Sequence, residues 1–240
     1  MIRTILFFTW LTLSLVISIP FSFRVNYLAK KNRTDESDAL VHKCTHLWAK
    51  SILKVCGVKV NVHGLENLPQ DKNVLFIGNH QGNFDIPIYL ASMPRLIGFV
   101  AKIETEKMPL ISTWMKHMHC VFMDRSTVRK SSEAIIYGIK NLKAGKNMVI
   151  FPEGTRSRGN TMGEFKAGSF KLATKSNCPI VPVTMDGSYT AMEANKHSFI
   201  KSTKVNLYIH PAIDTATLSK EELSALPENI YTIIGSKLTK

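Results

Sequence analysis

From residue 59 onward, short apolar runs of strand length alternate with longer segments whose apolar residues recur at helical spacing. Residues 74–78 form a continuous apolar run, which is typical of a buried strand. This alternation predicts an α/β domain with a mostly parallel mixed sheet flanked by helices. The predicted strands span residues 59–62, 74–78, 97–101, 121–123, 148–151, 180–183 and 205–209, and the predicted helices span residues 84–91, 109–117, 128–142, 169–175 and 220–238.

The N-terminal segment has a different pattern. Residues 4–23 contain no charged side chain, and a helix of that length measures about 30 Å, which is enough to cross a hydrocarbon core. Four basic residues follow this segment and only Arg3 precedes it, so we expect the rest of the chain to face the cytoplasm, in a bacterium at the inner membrane. A cleaved signal peptide is the alternative, but residues 18–23 offer no small-residue cleavage site.

A second helix is predicted over residues 37–56, after a polar turn at 32–38. Its apolar stripe fits an ordinary core-facing helix and equally an amphipathic partner of the first helix at the bilayer surface. The pattern therefore divides the chain into N-terminal membrane-associated helices (1–57) and a globular domain (58–240), with either a single-helix or a two-helix anchor.

Two prolines are expected to interrupt helices. Pro20 should kink or end the first hydrophobic helix, and Pro227 should split the terminal helix, for which Ser219 is the predicted N-cap.

The chain is strongly basic, with a formal net charge of +13 and a pI of about 9.6. Such a charge suits anionic membrane lipid, a phosphorylated substrate or nucleic acid. Nucleic acid is the weakest of the three, and no such partner is expected, because no zinc-finger, RNA-binding or helix-turn-helix signature is present. The cysteines form no CxxC pair, so we predict neither a metal site nor a disulfide framework, but reduced and mostly buried thiols: Cys44, Cys56, Cys120 and Cys178.

Candidate chemistry begins directly after the predicted strand 74–78. His80 and Asp85 lie five positions apart, at what should be the carboxyl edge of the sheet, where open α/β folds place their ligands. A histidine held by a carboxylate is a prepared general base. The spacing alone is common by chance and carries little weight.

A second motif, residues 151–159 (FPEGTRSRG), also follows an apolar strand. Gly154 allows a sharp turn close to a ligand, and Arg156 offers a planar fork that matches phosphate oxygens. Glu153 is expected to pair with an arginine or to orient a donor. The alternative is a polar surface loop with a local Glu–Arg pair.

The two motifs together, NHQ-x-x-x-D at 79–85 and FPEGTR at 151–156, resemble the glycerolipid acyltransferase family. Residues 121–125 (VFMDR) and 180–183 (IVPV) resemble two further blocks of that family, and the resemblance extends over about residues 64–211. Gly82 departs from the polar residue that many relatives carry at this position. The resemblance implies a glycerol-phosphate acyltransferase-like fold for the domain at 58–240.

The resemblance also implies a reaction. The family moves an acyl group from a thioester to the free hydroxyl of a lysophospholipid, with His80 as the base and Asp85 holding its ring. No acyl-enzyme is needed, so no nucleophilic cysteine or serine is expected, and no cofactor; acyl-CoA or acyl carrier protein is the co-substrate. Gln81 favours lysophosphatidic acid as the acceptor, acylated at its sn-2 hydroxyl. Another lysophospholipid or glycerol 3-phosphate is the alternative.

Substrate contacts follow from the matched positions. Arg125 and Arg156 are expected to bind the acceptor phosphate, with Lys102 as a weaker candidate. Lys102 or the backbone amides near Gly154 would face the developing oxyanion. The acceptor pocket is expected to be shaped by Glu153, Gly154 and Thr155. One helical region carries three further lysines, for which a solvated face is favoured and contact with phosphates or lipid headgroups is the alternative: Lys166, Lys171 and Lys175.

Two other classes of function fit part of the sequence. A lipid hydrolase would use His80 to activate water, but the chain lacks the Gly-x-Ser-x-Gly turn of a serine esterase. A non-enzymatic lipid-binding or scaffold protein would explain the charge and the hydrophobic segment, but gives no reason for the His–Asp pair.

Overall fold

The structure, a computed structural model, describes residues 1–239. Its centre is a seven-stranded sheet with the order β1-β7-β6-β2-β5-β3-β4. Every neighbouring pair is parallel except β6 and β7, which confirms the predicted mostly parallel mixed sheet. The strands are β1 (Val58–His63), β2 (Leu75–Gly78), β3 (Ile97–Lys102), β4 (Val121–Met123), β5 (Asn147–Ile150), β6 (Ile180–Asp186) and β7 (Thr203–Ile209).

Helices cover both faces of the sheet. They are α1 (Ile2–Ile17), α2 (Ile19–Lys30), α3 (Thr34–Cys56), α4 (Asp85–Ser92), α5 (Ile111–His117), α6 (Val128–Lys143), α7 (Lys171–Ser176) and α8 (Lys220–Gly235). Side chains alternate along β2, so Phe76 packs in the cluster under α3 and α4, while Leu75 and Ile77 pack in the cluster under α6, α7 and α8. The central strands β2 and β6 are thus buried on both faces, whereas the edge strand β1 exposes every second residue.

The N-terminal helical stretch is interrupted next to Pro20. α1 ends at Ile17, α2 begins at Ile19, and the helical stretch continues to Lys30. Pro20 lies in the first turn of α2, where a missing backbone N–H costs nothing, so the first helix ends just before this proline, as predicted. Residues 2–30 are long and apolar enough to span a membrane by length and composition, with an 18-residue window of mean hydropathy 2.0.

α1 packs along α3 through tryptophan–serine hydrogen bonds. The Trp10 indole donates to Ser51 Oγ at 2.8 Å, and the Trp48 indole donates to Ser14 Oγ at 3.1 Å. The N-terminal helix pair, α1 and α2, leaves large apolar side chains exposed, among them Ile2, Ile5, Phe8, Val16 and Phe23.

α3 has the core-facing role that the sequence offered as one alternative. Val41, Ala49 and Ile52 are fully or almost fully buried in the cluster that they share with the sheet. Gly57, in the left-handed region with φ of 67°, ends α3 at the predicted boundary with the sheet domain. Because α3 and the sheet share one core, the division of the chain into domains 1–57 and 58–240 stays a prediction.

Pro227 does not split the terminal helix, contrary to the prediction. α8 begins at the predicted N-cap Ser219, where a capping box with Glu222 satisfies the first amides. Leu226, Ile230 and Ile234 are buried on the sheet along one face of the helix. This packing holds the helix together across the proline, because tertiary burial outweighs the loss of one backbone hydrogen bond.

Candidate active site

The polar motifs lie at one edge of the sheet. Strands β2, β3, β4, β5 and β6 run in the same direction, so the loops that follow them come together. This edge carries His80 after β2, Lys102 at the end of β3, Arg125 after β4, Glu153 after β5 and Ser188 after β6.

The His80–Asp85 pair has the geometry of a prepared base. His80 Nδ1 lies 2.6 Å from Asp85 Oδ2, and Asp85 is fully buried at the start of α4. The same carboxylate oxygen accepts the backbone N–H groups of Gln81 at 2.8 Å and Gly82 at 3.0 Å. The hydroxyl of Ser188 donates to the other oxygen. The carboxylate is thus held by donors from its own loop and from the loop after β6.

The His80 ring is held by a stacked aromatic ring as well as by its hydrogen bond to Asp85. It stacks on Phe151, with ring centroids 4.1 Å apart and an interplanar angle of 10°. With Nδ1–H donated to Asp85, the remaining nitrogen, Nε2, is the one that can accept a proton. His80 is 18% exposed, so the ring is reachable from outside while Asp85 is not.

Glu153 joins the two motifs through the backbone. Its Oε1 accepts the N–H of His80 at 2.7 Å, and its Oε2 accepts the N–H of Gly163 at 2.7 Å. The carboxylate therefore holds backbone amides, in place of the arginine pair that the sequence offered. Burial raises the pKa of Glu153, since the charged form loses water there.

Two backbone hydrogen bonds strengthen this connection. The N–H of Ser157 donates to the carbonyl of His80 at 2.8 Å, and the N–H of Arg158 donates to the carbonyl of Gln81 at 3.1 Å. The loop after β5 is thus laid along the loop after β2, as a short ladder beyond the end of the sheet.

Both predicted arginines lie against these loops. Arg125 Nη1 donates to the carbonyl of Gly154, and Arg156 Nη1 donates to Asn83 Oδ1 at 2.5 Å. Arg156 also lies 3.4 Å from Glu193 Oε1. Each guanidinium is therefore anchored through one nitrogen, with further N–H groups left for a ligand.

Gly154 makes a turn that only glycine adopts readily, with φ of 73°. Its N–H donates to the carbonyl of Phe151 at 3.0 Å and is therefore used within the loop, so the contact of a nearby amide or of Lys102 with the oxyanion stays a prediction. Thr155 and Lys102 are exposed at the same edge of the sheet.

Lys166 is exposed, as predicted, and its side chain also reaches the site. Its Nζ lies 3.0 Å from the place where a Cβ on Gly154 would be, and Arg125 Nη1 lies 3.2 Å from that place. The two cations therefore flank the same small volume above Gly154. Lys171 and Lys175 are exposed on α7, as expected.

Several contacts in this site were not predicted from the sequence. Ser188 is one of them, although it lies just after β6 and the carboxyl ends of parallel strands meet at this edge of the sheet. Gln81 was interpreted only as a marker of the acceptor, yet its Oε1 accepts the N–H groups of Gly187 and Ser188. Asn79 extends the pairing of β2 with β6: its side-chain Nδ2 donates to the carbonyl of Met185, and its Oδ1 accepts the N–H of Met185.

The cysteines are not part of the His80–Asp85 site. Cys56, Cys120 and Cys178 are buried, as predicted, while Cys44 is half-buried. Burial raises the pKa of Cys120 and of Cys178 to about 12, so both thiols stay protonated at neutral pH. Within residues 1–239 there is no cluster of three His, Cys, Asp or Glu side chains that could hold a metal ion.

A mostly parallel sheet, with a carboxylate-backed histidine and several cations at its carboxyl edge, defines an α/β protein with an enzyme-like site. The chain belongs to the acyltransferase family, whose profile matches residues 59–186, between β1 and the end of β6. It is therefore an enzyme of the acyltransferase class, and the resemblance found in its motifs is confirmed.

Named relatives give the same result. The chain is 32% identical to the 1-acyl-sn-glycerol-3-phosphate acyltransferase of Borreliella burgdorferi, over 80% of this chain and 74% of the relative. It is 30% identical to a probable enzyme of the same name from Mycoplasma genitalium, over 92% and 81% of the two chains. The crystal structure of the 1-acyl-sn-glycerophosphate acyltransferase of Thermotoga maritima superposes with a TM-score of 0.85 at 28% identity, covering 98% of this chain and 92% of that one.

Proposed function

We propose that the protein transfers an acyl group from an acyl thioester to the sn-2 hydroxyl of 1-acyl-glycerol-3-phosphate, giving phosphatidate. The observation that carries the proposal is the 2.6 Å contact between His80 and Asp85 beside a cluster of cations. The names of the relatives support the choice of acceptor.

The chemistry follows from the held imidazole. His80 Nε2 removes the proton of the acceptor hydroxyl as its oxygen attacks the thioester carbonyl, and Asp85 stabilises the imidazolium that forms. Collapse of the tetrahedral intermediate breaks the C–S bond, and the departing thiolate takes the proton back from the imidazolium. The acceptor supplies the nucleophile, so no acyl-enzyme forms. Such a base contributes roughly a hundred- to ten-thousand-fold in rate.

The acceptor phosphate would lie among the anchored cations. Arg125 and Lys166 flank one volume over Gly154, and the guanidinium of Arg156 approaches from the side of Asn83. A phosphate monoester carries close to two negative charges and accepts several hydrogen bonds, which suits a site with two planar guanidinium groups and a lysine ammonium group. Lys102, at the end of β3, is proposed as a further contact to phosphate or to the oxyanion.

We further propose that the enzyme works at an anionic membrane, with its catalytic edge on the cytoplasmic side. The exposed apolar side chains of α1 and α2 and the net charge of +13 support membrane binding. The basic residues that follow the hydrophobic segment 4–23 support the cytoplasmic side. The acyl carrier, coenzyme A or acyl carrier protein, is anionic in either case and suits the same charge.

An acceptor competition tests the proposed function. Purified enzyme would receive a labelled acyl thioester together with equal amounts of lysophosphatidic acid, lysophosphatidylcholine and glycerol 3-phosphate. The assay would be run in parallel with the acyl group on coenzyme A and on acyl carrier protein. We expect phosphatidate as the main product with either carrier. Acylation of glycerol 3-phosphate alone, or release of free fatty acid without an esterified product, would contradict the proposal.

A further inference from the structure

Gly82 lies inside the His80–Asp85 loop, where its N–H donates to Asp85 Oδ2 at 3.0 Å. A Cβ added to Gly82 would lie 2.5 Å from Oε2 and 2.8 Å from Cδ of Glu193. The backbone of Gly82 is outside the left-handed region, so conformation does not require glycine here. The space that a side chain would fill is taken by the carboxylate of Glu193.

Glu193 comes from the loop that follows β6, and its side chain is only 6% exposed. Its Oε1 accepts the N–H of Asn83 at 2.8 Å and lies 3.4 Å from Arg156 Nη1. Its Oε2, pressed against Gly82, has no hydrogen-bond partner among the described residues. A carboxylate that is buried to this degree is costly unless it is paired, and the cation it meets is Arg156.

Arg156 is thereby held at one end. Nη1 meets both Asn83 Oδ1 and Glu193 Oε1, and these two acceptors lie on the loop of the catalytic base and on the loop after β6. A long arginine side chain fixed in this way has already lost its rotamer freedom before a ligand binds, so less affinity is lost on binding.

We propose that Glu193 is a positioning residue that sets Arg156 for the acceptor phosphate, and that Gly82 is needed because it leaves room for this carboxylate. Glu193 and Gly82 then act as a matched pair. The proposal rests on the proposed function, since it assigns Arg156 to a phosphorylated acceptor.

The first test changes only the charge of Glu193. Glu193→Gln keeps the size of the side chain and an acceptor for the N–H of Asn83. We expect the KM for lysophosphatidic acid to rise roughly tenfold, because a charge-assisted contact to Arg156 becomes a neutral one. The kcat, the KM for the thioester and the KM for 1-acylglycerol, which has no phosphate, should change by less than about twofold, within the variation of uncoupled sites.

The matched control is Glu164→Gln, which removes an exposed carboxylate in the loop after β5. It should leave every constant unchanged. Melting temperatures of both variants separate a change of affinity from a loss of fold. An unchanged KM for lysophosphatidic acid in folded Glu193→Gln would overturn the proposal.

The second test asks whether the glycine and the carboxylate are coupled. Gly82→Ala alone should reduce acyl transfer, since the methyl group meets the carboxylate. In the Glu193→Ala background the same methyl group has room, so the further loss should be much smaller. Equal losses in the two backgrounds would overturn the matched pair. If the unaltered enzyme does not acylate lysophosphatidic acid, the proposed function fails and this proposal fails with it; if it does, the variants test this proposal alone.

Discussion

At the scale of single residues, the Asp85 carboxylate is held by donors from two loops. Its own loop contributes the His80 ring and the amides of Gln81 and Gly82, and the loop after β6 contributes the hydroxyl of Ser188. Because the direction of Nε2 depends on how firmly this carboxylate is fixed, we expect catalysis to respond to donors that never touch a substrate.

Removing one such donor gives a specific prediction. Ser188→Ala should lower kcat roughly tenfold, because a hydrogen bond to a charged group is lost and the imidazole is held less firmly. The KM values should stay close to those of the unaltered enzyme in steady-state assays. Ser236→Ala, at an exposed serine at the end of α8, is the control. A rise in KM with kcat unchanged would show that Ser188 contacts substrate instead.

Glu153 links stability to pH. Burial raises the pKa of this carboxyl above its ordinary value of 4.5, so the folded protein holds the proton more tightly than the unfolded chain does. The contribution to stability is therefore fully present below pH 4.5 and is lost as the pH rises through the raised value.

Urea unfolding at a series of pH values tests this linkage. Relative to Glu153→Gln, which cannot ionise, the unaltered protein should lose unfolding free energy as the pH rises across that window. Two stability curves that stay parallel over the window would show that the pKa of Glu153 is not raised.

At the scale of elements, the strands were predictable and the contacts between loops were not. Residues 74–78 and 148–151 are short apolar runs, so their burial in parallel strands, and the shared edge of the two motifs, follow from the sequence alone. Glu193 and Lys166 lie on loops whose paths depend on tertiary packing. The spacing of apolar residues in the sequence does not predict the path of such a loop.

Pro227 was misjudged for a related reason. Local rules give the cost of a proline in a helix, but not the packing that offsets it. α8 continues through Pro227 because its neighbours on one face of the helix are buried. Only the assembled core decides such cases.

The path of the loop after β5 yields a further prediction. Lys166→Met should raise the KM for lysophosphatidic acid roughly tenfold, since one cation is removed from the volume above Gly154. Lys175→Met, at an exposed lysine on α7, is the matched control and should have no effect. An equal loss of activity with an acceptor that lacks phosphate would contradict a role in phosphate binding.

At the scale of the whole molecule, one side of the N-terminal helix pair packs on the protein and the other is apolar and open. Ile5 and Phe8 on α1 are 60% and 51% exposed. Replacing both with serine should weaken binding to vesicles containing anionic lipid by roughly tenfold or more, because burying each side chain is worth about 1.5–3 kcal/mol.

Flotation of the protein with vesicles measures this binding. Val128→Ser, which removes an exposed apolar side chain at the start of α6, serves as the control and should float as the unaltered protein does. Equal flotation of the double variant would place the membrane contact on another surface.

The central claim is that the His80 imidazole, held by Asp85, deprotonates a lipid hydroxyl. The most direct test is acyl transfer to lysophosphatidic acid by His80→Ala, with folding checked by the melting temperature. We predict that kcat falls by roughly a hundred- to ten-thousand-fold or more while the protein stays folded, since the general base is gone and the core is untouched. Acyl transfer at the unaltered rate by a folded His80→Ala variant would contradict the mechanism.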